Sequence, residues 1–215
     1  MLTLGGGSMY PDQQKCSRKM CQNRSKETNE ALLLAGIKLF ALHGYYKVNT
    51  KDIAKEAGVA IGSFYGYYED KKQLFMAILR TYKQALIDSG RCPKTSEKCA
   101  YSLEDVMQYF INRRLQVAGD YPLAFLREIN YLKTREPDIA ELFNFYYEQE
   151  LNLFVTYMQQ HVHLLRVKDL ALSAKLIYEL NENMINAYMS TDSEAEKLVT
   201  IEAYKDLLNR YLFEA

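Results

Sequence analysis

Residues 50–74 read TKDIAKEAGVAIGSFYGYYEDKKQL, and the rest of the chain is best read outward from them. The stretch predicts a short helix, a glycine turn, a second short helix of small and tyrosine residues, and the start of a third. Thr50 can cap the first helix through its hydroxyl, and Asp52 sits in the first turn, where the helix dipole favours an anion. Ile53, Ala54 and Ala57 give that helix a narrow apolar face. Gly58 falls where a left-handed residue is needed to end it, and Val59 would plug the turn into the core. Ile61 to Tyr67 spans barely two turns, so tertiary packing must hold this helix, with Phe64 as the anchor. Gly62, Ser63 and Gly66 are too small to shield the backbone, which suits close approach to another surface. Asp70, with Gln73 three residues on, opens the next helix as a near capping box. The pattern is a helix-turn-helix, whose second helix is shaped to enter the major groove of DNA.

Charge points the same way. The 215 residues carry a formal net charge of zero, but it is unevenly spread. Residues 12–83 hold 13 Lys and Arg against 7 Asp and Glu, and the remainder holds 14 against 20. A basic stretch supplies the sequence-independent part of polyanion affinity, and the acidic remainder is expected to stay off the phosphate backbone. Apolar content of 48% and charged content of 25% suit a globular protein. No run reaches the ~18 apolar residues of a membrane span, so no membrane partner is expected. Residues 1–10 lack a basic start and an apolar core, so the cytoplasm is the expected compartment. Gly5-Gly6-Gly7-Ser8 resembles a flexible leader.

Strand-like alternation is scarce, and the fold class expected is all-α. The domains expected are a flexible N-terminal arm over 1–24, a helix-turn-helix domain over 25–70, and a larger helical domain over 71–215 for ligand binding and dimerisation. The first helix should run from about Glu27 to His43. Leu33, Ile37, Phe40 and Ala41 form one stripe, and Leu32, Ala35, Leu39 and Leu42 a second beside it. Lys71 to about Ser89 should form a longer helix connecting the two domains. Further helices are expected from about 102 to 119, after Pro122, from Pro137 to about His161, from Lys168 to Met189 and from Ser193 to Leu212.

Residues 39–75, LFALHGYYKVNTKDIAKEAGVAIGSFYGYYEDKKQLF, resemble the tetracycline-repressor (TetR) family of bacterial one-component regulators. The resemblance is strongest over about Glu27 to Leu79; beyond Tyr82 it extends to length and helicity alone. It implies a homodimer, joined through the last two helices, that binds a double-stranded, pseudo-palindromic DNA operator and releases it when a small-molecule effector enters the second domain. The family's recognition positions fall on Ala60, Ile61, Gly62, Ser63, Tyr65, Gly66 and Tyr67. Ser63, Tyr65 and Tyr67 would touch phosphates or base edges. Thr50 and Lys71 would hold phosphates from the flanking helix starts, with Lys51 beside them. Three positions depart from the family: Ala60 where a capping serine is common, Ile61 where a polar or basic residue is common, and Gly66 where histidine is frequent. Ile61 could meet a thymine methyl. With few long polar side chains available, DNA shape would carry more of the reading.

Tyr65 and Tyr67 lie two apart and cannot both share the buried face with Phe64; Tyr68 is the expected core tyrosine. In the second half Met107, Phe110, Tyr131, Phe143, Tyr146, Tyr147, Tyr178 and Met184 could line an aromatic ligand cavity, with Arg113, Asn181 and Glu182 as polar handles. For any one of them ordinary core packing or a solvated position is the alternative. Leu176, Ile177, Leu180, Met184, Ile185 and Tyr188, with Leu198, Ile201, Leu207, Leu208 and Leu212, are the expected dimer stripes. Cys16 with Cys21 and Cys92 with Cys99 match no common zinc spacing, and no phosphate loop, nucleophile elbow or metal-binding helix motif occurs. No cofactor, metal or catalytic residue is therefore expected. The competing function is a helical small-molecule or protein interaction module that does not bind DNA.

Overall fold

A glycine lets the first and fourth helices touch. A Cβ on Gly36 would stand 2.9 Å from Leu74 Cδ2 and 3.0 Å from Ile78 Cδ1, so the ends of both side chains would have to shift to admit one there. The structure is a computed structural model that describes the backbone of residues 12–89 and 103–213 and the side chains of residues 24–89 and 111–213. The described residues are all-helical, as expected. α1 is Asp12–His43, followed by a 3₁₀ turn over Tyr45–Lys47; α2 is Thr50–Glu56, α3 Ile61–Tyr67 and α4 Lys71–Ser89. Then come α5 (Leu103–Gly119), α6 (Leu123–Leu132), α7 (Pro137–Gln160), a 3₁₀ turn at Val162–Leu164, α8 (Leu170–Met189) and α9 (Glu194–Leu212).

The first helix starts earlier than its apolar stripe suggests, at Asp12 rather than near Glu27. Residues 12–26 contain neither Pro nor Gly and are rich in Lys, Arg and Gln, so local propensity carries the helix where no apolar face marks it. The expected 1–24 arm is therefore helical from Asp12 onward. Cys16 and Cys21 lie on that helix with side chains outside the described residues; Cys92 and Cys99 lie outside them altogether.

In α1, Leu32, Ala35, Leu39 and Phe40 are buried, whereas Leu42, placed by its spacing on the second stripe, is 65% exposed. These buried residues meet Tyr45, Val48, Ile53, Phe64, Leu74 and Phe75 to make the core of the first four helices. The aromatic chain continues through Phe75 to Phe125 of α6, with ring centroids 5.5 Å apart, so the core runs without a break into the second half. There α4 packs on α5 and α7, α7 on α8, and α8 on α9, while α6 lies against α1.

The last two helices correct the expected dimer stripes. Ile177, Met184, Ile185, Leu208 and Leu212 are buried within the subunit. The face left to solvent carries Leu172, Leu176, Leu198, Val199 and Leu207, each between 43% and 68% exposed. Which of two adjacent stripes faces inward is decided by how α8 packs on α7 and α9 on α8.

Candidate functional site

The helix-turn-helix is built from local hydrogen bonds. Asn49, and not Thr50, caps α2: its Oδ1 accepts from the Asp52 N–H at 3.0 Å, and Asp52 Oδ2 accepts from the Asn49 N–H at 3.4 Å. Asn at the cap and Asp three residues later form a reciprocal box, which leaves Thr50 as the first helical residue. At the other end Gly58 has φ +69°. Its N–H donates to Lys55 O at 3.1 Å, and the Val59 N–H to Ala54 O at 3.0 Å, the two bonds of a Schellman turn. Gly58 fixes the angle at which α3 leaves.

α3 is anchored from beneath. Phe64 is fully buried, and Tyr68 is buried with its hydroxyl donating to Asn29 Oδ1 at 2.6 Å. The opposite face leaves Ala60, Ile61, Gly62, Tyr65 and Gly66 exposed, with Ser63 and Tyr67 half-buried beside them. The Tyr65 ring stands on edge against Phe64 with its hydroxyl 3.1 Å from Thr50 Oγ1, so one phenol ties α3 to the start of α2. The Tyr67 hydroxyl donates to Ser25 O and Oγ at 2.9 Å, tying the other end of α3 to α1. Lys51 is exposed on the same side as Thr50.

Lys71 departs from its expected part. Its ammonium donates to the carbonyls of Tyr45 and Val48, both at 2.8 Å, and sits 4.5 Å from the Tyr45 ring centroid. Burial lowers its pKa against a smaller upward pull from Glu136. Lys71 supplies a charged donor to the carbonyls that begin and follow the 3₁₀ turn. Its side chain is thus a clasp inside the protein and not a free phosphate ligand.

The helix-turn-helix is latched to the second half through α6 and the turn after it. The Tyr45 N–H donates to Glu128 Oε1 at 2.6 Å, and the Tyr46 hydroxyl to Glu136 Oε1 at 2.7 Å. Lys72 pairs with Asp138 at 2.6 Å. Tyr131 stands here too, its ring perpendicular to Tyr46 at 6.4 Å, so it joins the latch and lines neither of the two openings described next.

Two openings in the second half are separated by a layer of buried charge. One is an almost wholly apolar cavity of about 70 Å³ between α5, α7, α8 and α9, with Ile111, Arg114, Phe154, Met158, Ile177, Asn181, Tyr204 and Leu208 among its walls. The other is an open, polar groove of about 460 Å³ lined by Lys133, Phe143, Tyr147, Tyr178, Glu182, Asn183 and Asn186. Of the expected ligand residues, Phe143, Tyr147, Tyr178 and Glu182 gather in the groove, and Asn181 alone reaches the apolar cavity. Arg113 is exposed and donates to Gln116. The side chains of Met107 and Phe110 lie outside the described residues.

Three groups were missed. Glu150, 3% exposed, takes Lys83 on Oε1 at 3.2 Å and Arg114 on Oε2 at 2.8 Å. Arg114 also reaches Glu182 at 3.1 Å, and Lys83 donates to the Tyr178 hydroxyl at 2.9 Å. Burial pushes the Glu150 carboxyl up, but Lys83 and Arg114 together outweigh it and hold it below the usual range. Burial likewise works against the Arg114 cation, and Glu150 and Glu182 raise its pKa in spite of it. The signal was present in the spacing. Lys83 lies between Leu79 and Leu86, Arg114 between Ile111 and Val117, and Glu150 four residues after Tyr146, each inside an apolar stripe.

Residues 32–78 match the family model described as bacterial regulatory proteins, tetR family. The fatty acid metabolism regulator protein of Bacillus subtilis (strain 168) is 20% identical over 177 residues, covering 81% of this chain and 90% of that protein. The fatty acid degradation regulator FadR from Bacillus halodurans superposes with a TM-score of 0.67 at 19% identity, over 84% of this chain and 94% of the other. A transcriptional regulator from Saccharomonospora viridis in complex with choline also gives 0.67, at 17% identity, over 88% and 100%. Among the described residues no helix is long and apolar enough to cross a membrane.

Proposed function

We propose how this chain, which belongs to the tetR family of bacterial regulatory proteins, works as a DNA-binding transcriptional regulator. Two copies associate through the outer face of α8 and α9. Exposed Leu172, Leu176, Leu198, Val199 and Leu207 there form the kind of apolar surface that a partner covers. The dimer sets two α3 helices ~34 Å apart, to meet successive major grooves of a pseudo-palindromic operator. The observation that carries this reading is the two-sidedness of α3: Phe64 and Tyr68 fasten it from below, while Ile61, Gly62, Tyr65 and Gly66 stay open to solvent.

Gly62 and Gly66 let the α3 backbone approach the duplex closely, and Ile61 offers an apolar contact to a thymine methyl. Tyr65, Ser63 and Tyr67 work as phosphate or base-edge donors, with Thr50 and Lys51 at the flank. Lys71 holds the frame beneath them. Sequence is then read largely through DNA shape.

The second half binds a small-molecule effector whose arrival releases the operator, so the regulator is a repressor. Support for a largely apolar effector comes from the cavity walls and from relatives named for fatty acid metabolism. Movement of α5 at the cavity passes to α6 through the 120–122 turn, where Tyr121 packs on Tyr82 and Phe125, and α6 pulls on Tyr45 through Glu128. An effector can shift the two states only by its difference in affinity for them.

The test is protection of short palindromes upstream of the gene, with and without salt. Selective protection that weakens steeply as salt rises is expected. Failure to bind any duplex at low salt would favour a helical interaction module instead.

A further inference from the structure

Three carboxamides converge on the polar groove from three different helices. Asn130 comes from α6, Asn144 from α7 and Asn186 from α8, and none of these side chains has a hydrogen-bond partner among the described residues. Asn is a poor helix former, so local propensity does not account for their places. The Tyr147 hydroxyl beside them is likewise without a partner among the described residues. The buried rings of Phe143 and Tyr178 and the half-buried ring of Tyr147 supply an aromatic wall. The volume of about 460 Å³ falls within the roughly 300–1,000 Å³ of small-molecule sites.

Charge decides what such a wall can hold. The Lys133 ammonium lies 4.6 Å from the centre of the Phe143 ring and meets no carboxylate among the described residues. Glu179 of α8 meets no cation among them, and Glu182 is matched by Arg114 at 3.1 Å. One charge of each sign is left, so the groove favours neither an anion nor a cation: either would gain one partner and face one like charge. An apolar ligand would strip water from three amides, a phenol and two charges and replace none of those bonds. A neutral ligand rich in hydroxyls replaces that water bond for bond, because each hydroxyl both donates and accepts, and a carboxamide offers both functions to adjacent hydroxyls. The C–H face of a sugar ring then has aromatic surface to cover.

The surface of α8 changes character where the groove opens. Leu172, Leu176, Glu179, Asn183 and Asn186 follow one another at helical spacing along one face. The two leucines belong to the apolar surface assigned above to a second copy, and the three polar residues line the groove. A partner packed on the leucines would gain nothing by burying the unpaired Glu179 carboxylate as well. We propose that this groove is a second ligand site, and that it binds a neutral, polyhydroxylated molecule of mono- or disaccharide size through Asn130, Asn144, Asn186 and Lys133. The proposal goes beyond the effector reading, which places a largely apolar molecule in the cavity on the other side of the charge layer.

The test is calorimetry on the full chain at neutral pH. The probes are glucose, galactose, mannose, maltose and lactose, with the uronic acid and the 2-amino derivative of each hexose. At least one neutral sugar is expected to bind saturably, and more tightly than its charged derivatives. Asn144 is exposed and outside the charge layer, so Asn144→Ala should keep the fold; it deletes one neutral hydrogen bond and should weaken the sugar about three- to tenfold. Ile177→Val, in the wall of the apolar cavity, should leave sugar affinity unchanged. A sugar that ignores Asn144→Ala is bound elsewhere and overturns the proposal. So does a uronate or an amino sugar that outbinds its parent hexose, or a panel in which nothing binds. Operator release by an apolar compound, with every sugar inert, keeps the effector reading and overturns this one.

Discussion

The helix-turn-helix and the layer between α4, α5, α7 and α8 handle polarity in opposite ways. In the first, the cap box and the Schellman turn join residues within five positions, the tyrosine ties reach back 15 to 42 positions, and the interior is Ile53, Ala54, Phe64 and Leu74. The second buries Lys83, Arg114 and Glu150 together, joined across sequence separations of 36 and 67, and leaves Arg114 Nε and Asn181 Oδ1 without partners among the described residues. A module whose caps and turn are settled within a few residues leaves little of its local shape for the rest of the chain to decide. A module that buries charge in balance, with bonds left unmade, retains something for another molecule to settle.

The sharpest way to break that contrast is to unbalance the layer. Glu150→Ala leaves Lys83 and Arg114 buried without their shared carboxylate and should cost about 3–5 kcal/mol in urea unfolding. A loss below ~1 kcal/mol would mean that water already reaches the pair. Acid should act more gently on the same group. The Glu150 carboxyl is held below its ordinary value near 4.5, so its contribution is complete above that pH and fades as pH falls through the lowered value of the folded state. Wild-type unfolding free energy should therefore fall below about pH 4 more steeply than that of Glu150→Gln; parallel curves would remove Glu150 from the acid response.

In the helix-turn-helix the expected effects are smaller because each bond is local. Asn49→Ala removes the cap of α2 and should cost about 1 kcal/mol, whereas Thr50→Ala should leave cap stability nearly unchanged. Equal losses would return the capping role to the threonine. The smallest effect is expected from Tyr65→Phe, which deletes an exposed hydroxyl and should move stability by less than ~0.5 kcal/mol. A gel shift with the operator should nevertheless show weaker binding, and unchanged affinity would take that hydroxyl out of the interface.

The same contrast explains what could be read from the sequence. Gly58, Phe64 and Tyr68 were legible because a turn, a two-turn helix and its anchor are decided within a few residues. Thr50 was misread as the cap because two capping residues stand side by side, and the Asp three places after Asn49 decides between them. Arg113 was chosen over Arg114 by chemistry alone, although the apolar spacing through Ile111 and Val117 favours the latter. Tyr131 gave no local sign that the turn after α6 would bring it against Tyr46. The cavity lies between four helices distant in sequence, and its existence depends on how closely they approach.

Lys71 deserves its own consequence. One ammonium holds the start of α4 to the carbonyls of Tyr45 and Val48, the residues that lead into Asn49 and α2. A twist applied along α4 therefore reaches the reading head through this rivet as well as through the Leu74 and Phe75 core, and the head should swing as a rigid block. In the proposed dimer, replacing that rivet with an uncharged residue would leave the two reading heads freer to wander in pitch, and a pair that no longer keeps a common pitch cannot measure the spacing between two half-sites.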